Sequence, residues 1–135
     1  MLACLAAGLL SSTHSRNGLL TLGGTVFLLA GAACGLFGAV ALGRNLTPFP
    51  RAGSGARLVC NGIYRLMRHP LYAALMYASF GWALFRGSWP ACITAAALTL
   101  FLNAKARREE QWLLEQFPAY SDYAQRVKRF IPGIY

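Results

Sequence analysis

Residues 71–104 read LYAALMYASFGWALFRGSWPACITAAALTLFLNA, an apolar run whose only charge is Arg86. It is too long for one membrane span, and Arg86-Gly87-Ser88-Trp89-Pro90 interrupts it. Gly87 and Ser88 permit a tight turn, and Pro90 suits the first turn of a new helix, where its missing N–H has no partner to lose. The run therefore predicts a hairpin of two shortish helices, 71–85 and 90–104, with Trp82 and Trp89 near one interface. Pro70 starts the first helix for the same reason.

Before the hairpin, Gly18 to Gly43 holds no charged residue. At about 1.5 Å per residue it exceeds a hydrocarbon core of ~30 Å, which predicts a transmembrane helix. Gly31 and Gly35 have the small-xxx-small spacing that lets a neighbouring helix approach closely. Met1 to Leu10 is apolar but short, leaving a short span, a half-span or an interfacial piece open. No positive segment precedes it, so it does not read as a signal peptide.

The composition fits a membrane protein. With 56% hydrophobic and 13% charged residues, too little polar surface remains for a water-soluble chain, and 135 residues make one domain. Arg44, Arg51, Arg57, Arg65 and Arg68 follow the long helix with no acidic residue among them. Lys105, Arg107, Arg108, Arg126, Lys128 and Arg129 follow the hairpin, and Arg16 and Arg86 remain for the other side. The positive-inside rule makes the 44–69 loop and the 105–135 tail cytoplasmic. This distribution accounts for the net charge of +9 without a nucleic-acid partner. Cys4, Cys34, Cys60 and Cys92 are dispersed with no metal-ligand spacing, so they read as small apolar filler. The fold class is thus an all-α, multi-pass membrane bundle: three transmembrane helices, a short N-terminal apolar helix and cytoplasmic C-terminal helices.

Two segments concentrate chemistry. Gly62 to Tyr72 contains Tyr64, Arg68, His69, Pro70 and Tyr72, and the segment after the hairpin contains Lys105, Glu109 and Glu110. With the turn near Ser88, position 69 lies as far before it as position 107 lies after it, so the two clusters share a level. Lys105 and Glu109 share a helix face, while Glu110 points about 100° away. Converging ionisable groups at a membrane boundary suit a zwitterionic, aromatic-bearing cofactor and a greasy acceptor. Beyond Pro118, residues Tyr120, Tyr123, Ala124, Val127 and Ile131 form an apolar stripe that predicts a further helix, over the site or on the lipid surface.

Gly62-x-Tyr64-x3-Arg68-His69-Pro70-x-Tyr72, a hydrophobic hairpin, Glu109-Glu110-x2-Leu113 and Phe117-x2-Tyr120-x2-Tyr123-x2-Arg126-Val127 resemble the isoprenylcysteine carboxyl methyltransferase and phospholipid methyltransferase superfamily of integral membrane enzymes. The resemblance spans roughly residues 44–132. It implies methyl transfer from S-adenosylmethionine, with Leu58, Val59, Tyr64, Arg68, His69, Pro70, Leu71, Tyr72 and Glu109 holding the cofactor and Lys105 facing a lipophilic or small amphiphilic acceptor. An amine acceptor would need Glu109 or Glu110 as base. Lys105 stands where arginine is usual and lacks its planar two-point grip on a carboxylate. The first spans of the eukaryotic relatives are missing, which implies a compact form of the kind expected in a bacterial inner membrane. The ending Ile131-Pro132-Gly133-Ile134-Tyr135 is also similar to the terminus of membrane sterol and enone reductases, which would imply NADPH instead.

Overall fold

The computed structural model describes residues 1–10, 18–43 and 58–135. All the regular elements among these are helical: α1 (Leu2–Leu10), α2 (Gly18–Leu42), α3 (Pro70–Arg86), α4 (Trp89–Gln116), α5 (Tyr120–Arg126) and a 3-10 turn at Gly62–Arg65. Arg44, Arg51 and Arg57, expected on the cytoplasmic loop, lie outside the described residues. Among those residues α2 is the one helix long and apolar enough to cross a membrane by length and composition.

The hairpin forms where its turn residues dictate. Gly87 takes a left-handed conformation with φ of 59° and closes α3, donating its N–H to the carbonyls of Ala83 and Leu84. Ser88 then caps α4, its side chain accepting the Ala91 N–H at 3.3 Å. Helix α4 runs on to Gln116, beyond the apolar part, and Pro118 follows its end.

Helix α2 lies antiparallel to α3 along a seam of glycines. A Cβ at Gly24 would stand 2.5 Å from the Phe85 nitrogen, one at Gly31 would stand 2.9 Å from the Ala78 nitrogen, and one at Gly38 would stand 3.2 Å from Pro70. On α3, Gly81 answers with a position 2.8 Å from the Leu28 nitrogen. The close approach therefore repeats every seventh residue, and Gly35 of the expected pair has ordinary contact with Ala74 at 3.5 Å. A seven-residue repeat returns to the same helix face, whereas a four-residue step alone drifts off it.

Helix α1 packs at the turn end of the hairpin. Cys4 is buried with Ala83, Ala91 and Ala95, and its thiol points at the carbonyls of Ser79 and Ala91. At the opposite end, α5 is shorter than its apolar stripe predicts. It stops at Arg126, so Val127 and Ile131 lie outside it. The chain instead pairs with the His-Pro motif through a parallel bridge between Met67 and Lys128. Tertiary hydrogen bonds of Arg68 N–H to Lys128 O at 2.8 Å and of His69 N–H to Arg129 O at 3.0 Å take precedence over further helix.

The glycine seam makes a matched pair of variants informative. Gly24→Ala pushes a methyl into α3 backbone and is expected to lower stability by about 1–3 kcal/mol. A Cβ at the adjacent Gly23 meets nothing within 4 Å. Gly23→Ala is therefore expected to leave the thermal unfolding midpoint in detergent unchanged or slightly higher.

Candidate active site

Four segments meet at the end of the bundle away from the Gly87-Ser88 turn: the 3-10 turn, the start of α3, the middle of α4 and the residues after α5. Pro70 begins α3, and its fixed φ leaves His69 just outside the helix with φ of −126° and ψ of 63°. From there the imidazole reaches α4, and its Nε2 lies 3.1 Å from Glu110 Oε1. One helical turn into α3, Tyr72 donates its hydroxyl to Glu109 Oε1 at 2.5 Å. The His69 and Tyr72 rings stack with centroids 5.4 Å apart and planes 1° from parallel.

The two neighbouring glutamates have different environments because they are about 100° apart on α4. Glu110 is 6% exposed and fully engaged. Arg129 grips it with Nε 3.0 Å from both oxygens and Nη2 2.7 Å from Oε2. Arg68 Nη1 lies 3.4 Å from Oε1. Burial by itself would raise the Glu110 pKa, but the His69 and Arg129 hydrogen bonds and the Arg68 charge outweigh it and hold the carboxyl down at about 2. Glu110 therefore stays ionised at neutral pH and takes up no proton there.

Glu109 is open by comparison. Its side chain is 16% exposed, and Lys105, at 42%, approaches it to 3.8 Å. The Lys105 ammonium also lies over the Tyr72 ring, 5.2 Å from its centroid. An aromatic face, a carboxylate and an exposed cation thus stand together at a partly buried position, a set able to receive a zwitterion.

Tyr64 is buried, and burial pushes its phenol up to about 12. Tyr123 donates to the Tyr64 carbonyl at 2.6 Å, fastening α5 to the 3-10 turn. Leu58 and Val59 are half-buried in non-helical chain, and Leu71 is half-buried on α3 with its Cδ2 towards Gly38 of α2.

With this geometry in view, similarity to known proteins becomes specific. Residues 19–120 match the model of a family described as phospholipid methyltransferase. The chain belongs to that family. Among curated relatives, it is 30% identical over 116 residues to a probable protein-S-isoprenylcysteine O-methyltransferase of Oryza sativa subsp. indica, covering 82% of this chain and 60% of that protein. It is 32% identical over 87 residues to the protein-S-isoprenylcysteine O-methyltransferase of Dictyostelium discoideum, covering 58% of this chain and 34% of that protein. It is also 34% identical over 78 residues to the cobalt-zinc-cadmium resistance protein CzcN of Cupriavidus metallidurans, covering 57% of this chain and 36% of that protein. The chain thus spans from about a third to three fifths of the length of these relatives.

The sequence placed the His-Pro motif level with the segment 105–110, as the contacts show, but left members of the cluster out. His69 pairs with position 110 instead of facing 107. Arg129 and Phe130 were missed as members of the cluster, although Phe130 is buried 5.9 Å from the His69 ring and accepts the Tyr77 hydroxyl at 3.0 Å. The available signal was an unassigned arginine beside a buried-type aromatic, close after the tail helix.

The depressed Glu110 pKa carries a pH signature. Its folded value lies below the ordinary 4.5, so the stability it contributes is complete above about 4.5 and is lost as pH falls towards about 2. The thermal midpoint of the detergent-solubilised protein is expected to fall across that window, and Glu110→Gln is expected to remove this component of the slope.

Proposed function

We propose that the protein is a methyltransferase that binds S-adenosylmethionine with the His-Pro motif and α4 and methylates a lipophilic or small amphiphilic acceptor at the cytoplasmic membrane face. The observation that carries this reading is the open Tyr72–Glu109–Lys105 group, standing beside the closed Glu110 cluster at the polar end of apolar helices. Family membership and the isoprenylcysteine methyltransferase relatives support the reaction class.

The donor set fits such a cofactor. Glu109 and the Tyr72 ring suit a cationic ammonium or sulfonium. Arg68 Nε is buried without a hydrogen-bond partner, a donor suited to a carboxylate. Leu58, Val59, Tyr64, His69, Pro70 and Leu71 complete the surrounding surface in this reading. When bound, S-adenosylmethionine supplies an activated methyl group on a positively charged sulfur. The protein's part is then alignment and exclusion of water. Lys105 attracts an anionic acceptor, and for an amine acceptor Glu109, the less enclosed of the two glutamates, takes the proton.

A multi-pass placement is supported by apolar side chains left exposed on several helices, among them Leu19, Val26, Leu36 and Val40 on α2, Phe85 on α3, and Ile93, Leu100 and Phe101 on α4. Exposed Lys105, Arg107 and Arg108 beyond that belt, together with Arg126 and Lys128, support a cytoplasmic site and tail.

Calorimetry in nanodiscs tests the reading. Wild-type protein is expected to bind S-adenosylmethionine in the micromolar range, and Glu109→Ala is expected to weaken binding by about tenfold or more, as loss of a charge-assisted contact requires. NADPH is expected to give no heat of binding. Saturable binding of NADPH, with none of S-adenosylmethionine, would establish the reductase reading instead.

A further inference from the structure

Arg129 lies beyond the family-matched residues 19–120, yet it makes the closest contact to the most buried carboxylate of the site. Its backbone carbonyl accepts from His69 N–H at 3.0 Å, and its guanidinium holds both oxygens of Glu110. Glu110 in turn meets His69 Nε2 at 3.1 Å. Phe130, the next residue, lies against the same imidazole at 5.9 Å, while Tyr72 stacks on it at 5.4 Å. The ring of His69 is thus set by Tyr72 of α3, by Phe130 after α5 and by a carboxylate that Arg129 grips.

We infer that Arg129 is a positioning residue of the proposed cofactor site, acting through Glu110 to hold the His69 ring against Tyr72. This rests on the methyltransferase reading for its purpose, but not for its geometry. Without the Arg129 fork, Glu110 retains the Arg68 guanidinium at 3.4 Å and the His69 imidazole at 3.1 Å as its partners. A buried carboxylate that loses its bidentate partner turns towards the remaining cation, here Arg68, and draws the imidazole with it. The C-terminal residues therefore contribute a wall to the site and also fix the plane of a ring in the central motif.

Two measurements on the full-length protein in nanodiscs test this. In the first, protein labelled with 13C at histidine is observed without cofactor. The chain has two histidines, His14 and His69, and His69→Gln assigns the second. Arg129→Gln is expected to move the His69 ring signal, and an unmoved signal would overturn the inference whatever the protein binds. Should Arg129→Gln fail to fold, Arg129→Lys, which keeps the charge but not the fork, replaces it with the same expectation.

In the second, S-adenosylmethionine binding is compared across variants. Arg129→Gln is expected to weaken it by about tenfold, and Glu110→Gln/Arg129→Gln is expected to lose no more than Glu110→Gln alone, because Arg129 acts through Glu110. Tyr77→Phe removes a different tie to the tail, the hydrogen bond to the Phe130 carbonyl. It is expected to leave binding within about twofold. Equal losses in Arg129→Gln, the double variant and Tyr77→Phe would mean that the tail has a general structural role, and would overturn the inference. Absence of binding in wild-type protein would sink the proposed function, and the His69 signal would then decide the role of Arg129 alone.

Discussion

A carboxylate withdrawn from water at the end of a helical bundle has to be neutralised where it stands, and Glu110 meets that requirement with partners from two other parts of the chain. Arg68 and His69 come from the segment before α3, and Arg129 comes from the residues after α5. Removing one partner from such a cluster leaves a buried charge uncompensated, at a cost of about 3–5 kcal/mol. The cluster therefore acts as a clasp. It brings the His-Pro motif, α4 and the tail into one arrangement, and the backbone bonds of Arg68 and His69 to Lys128 and Arg129 reinforce it.

Below the clasp, α2 and α3 approach until Gly24, Gly31 and Gly81 have no room for a side chain, and a Cβ at Gly38 would press on Pro70 and Leu71. Such close backbone packing through small residues maximises van der Waals contact between the two helices. That seam fixes the start of α3 at Pro70, where Gly38 meets it, and so fixes the position of His69. The packing within the apolar layer and the chemistry above it are connected through this one residue boundary.

The division between two adjacent glutamates follows from helical geometry. Glu110 faces inward to the clasp and is held ionised. Glu109, one position earlier, meets Tyr72 and Lys105 at a partly buried surface. One carboxylate joins three parts of the chain, and the other is held by Tyr72 and Lys105 nearer the surface. Sequence alone placed both in the same functional group because their spacing from the hairpin turn is nearly the same.

Local chemistry was sufficient for the hairpin, for the long uncharged helix and for the pairing of the His-Pro motif with α4. Gly87, Ser88, Pro70 and Pro90 act over a few residues, and hydropathy acts along the chain, so both can be read in order. The end of α5 could not be read this way. Its apolar stripe continues to Ile131, but the N–H groups of Arg68 and His69, some sixty residues earlier, hold the carbonyls of Lys128 and Arg129 outside the helix. Nor could the glycine seam be distinguished from the Gly31–Gly35 pair until α3 was seen against it. The sequence by itself determined the helices, the hairpin and the two segments of the candidate site, because turn residues and polarity are local properties. Tertiary structure decided which glutamate is buried, which arginine neutralises it and where the tail stops being helical, because each depends on charges and backbone groups distant in the chain.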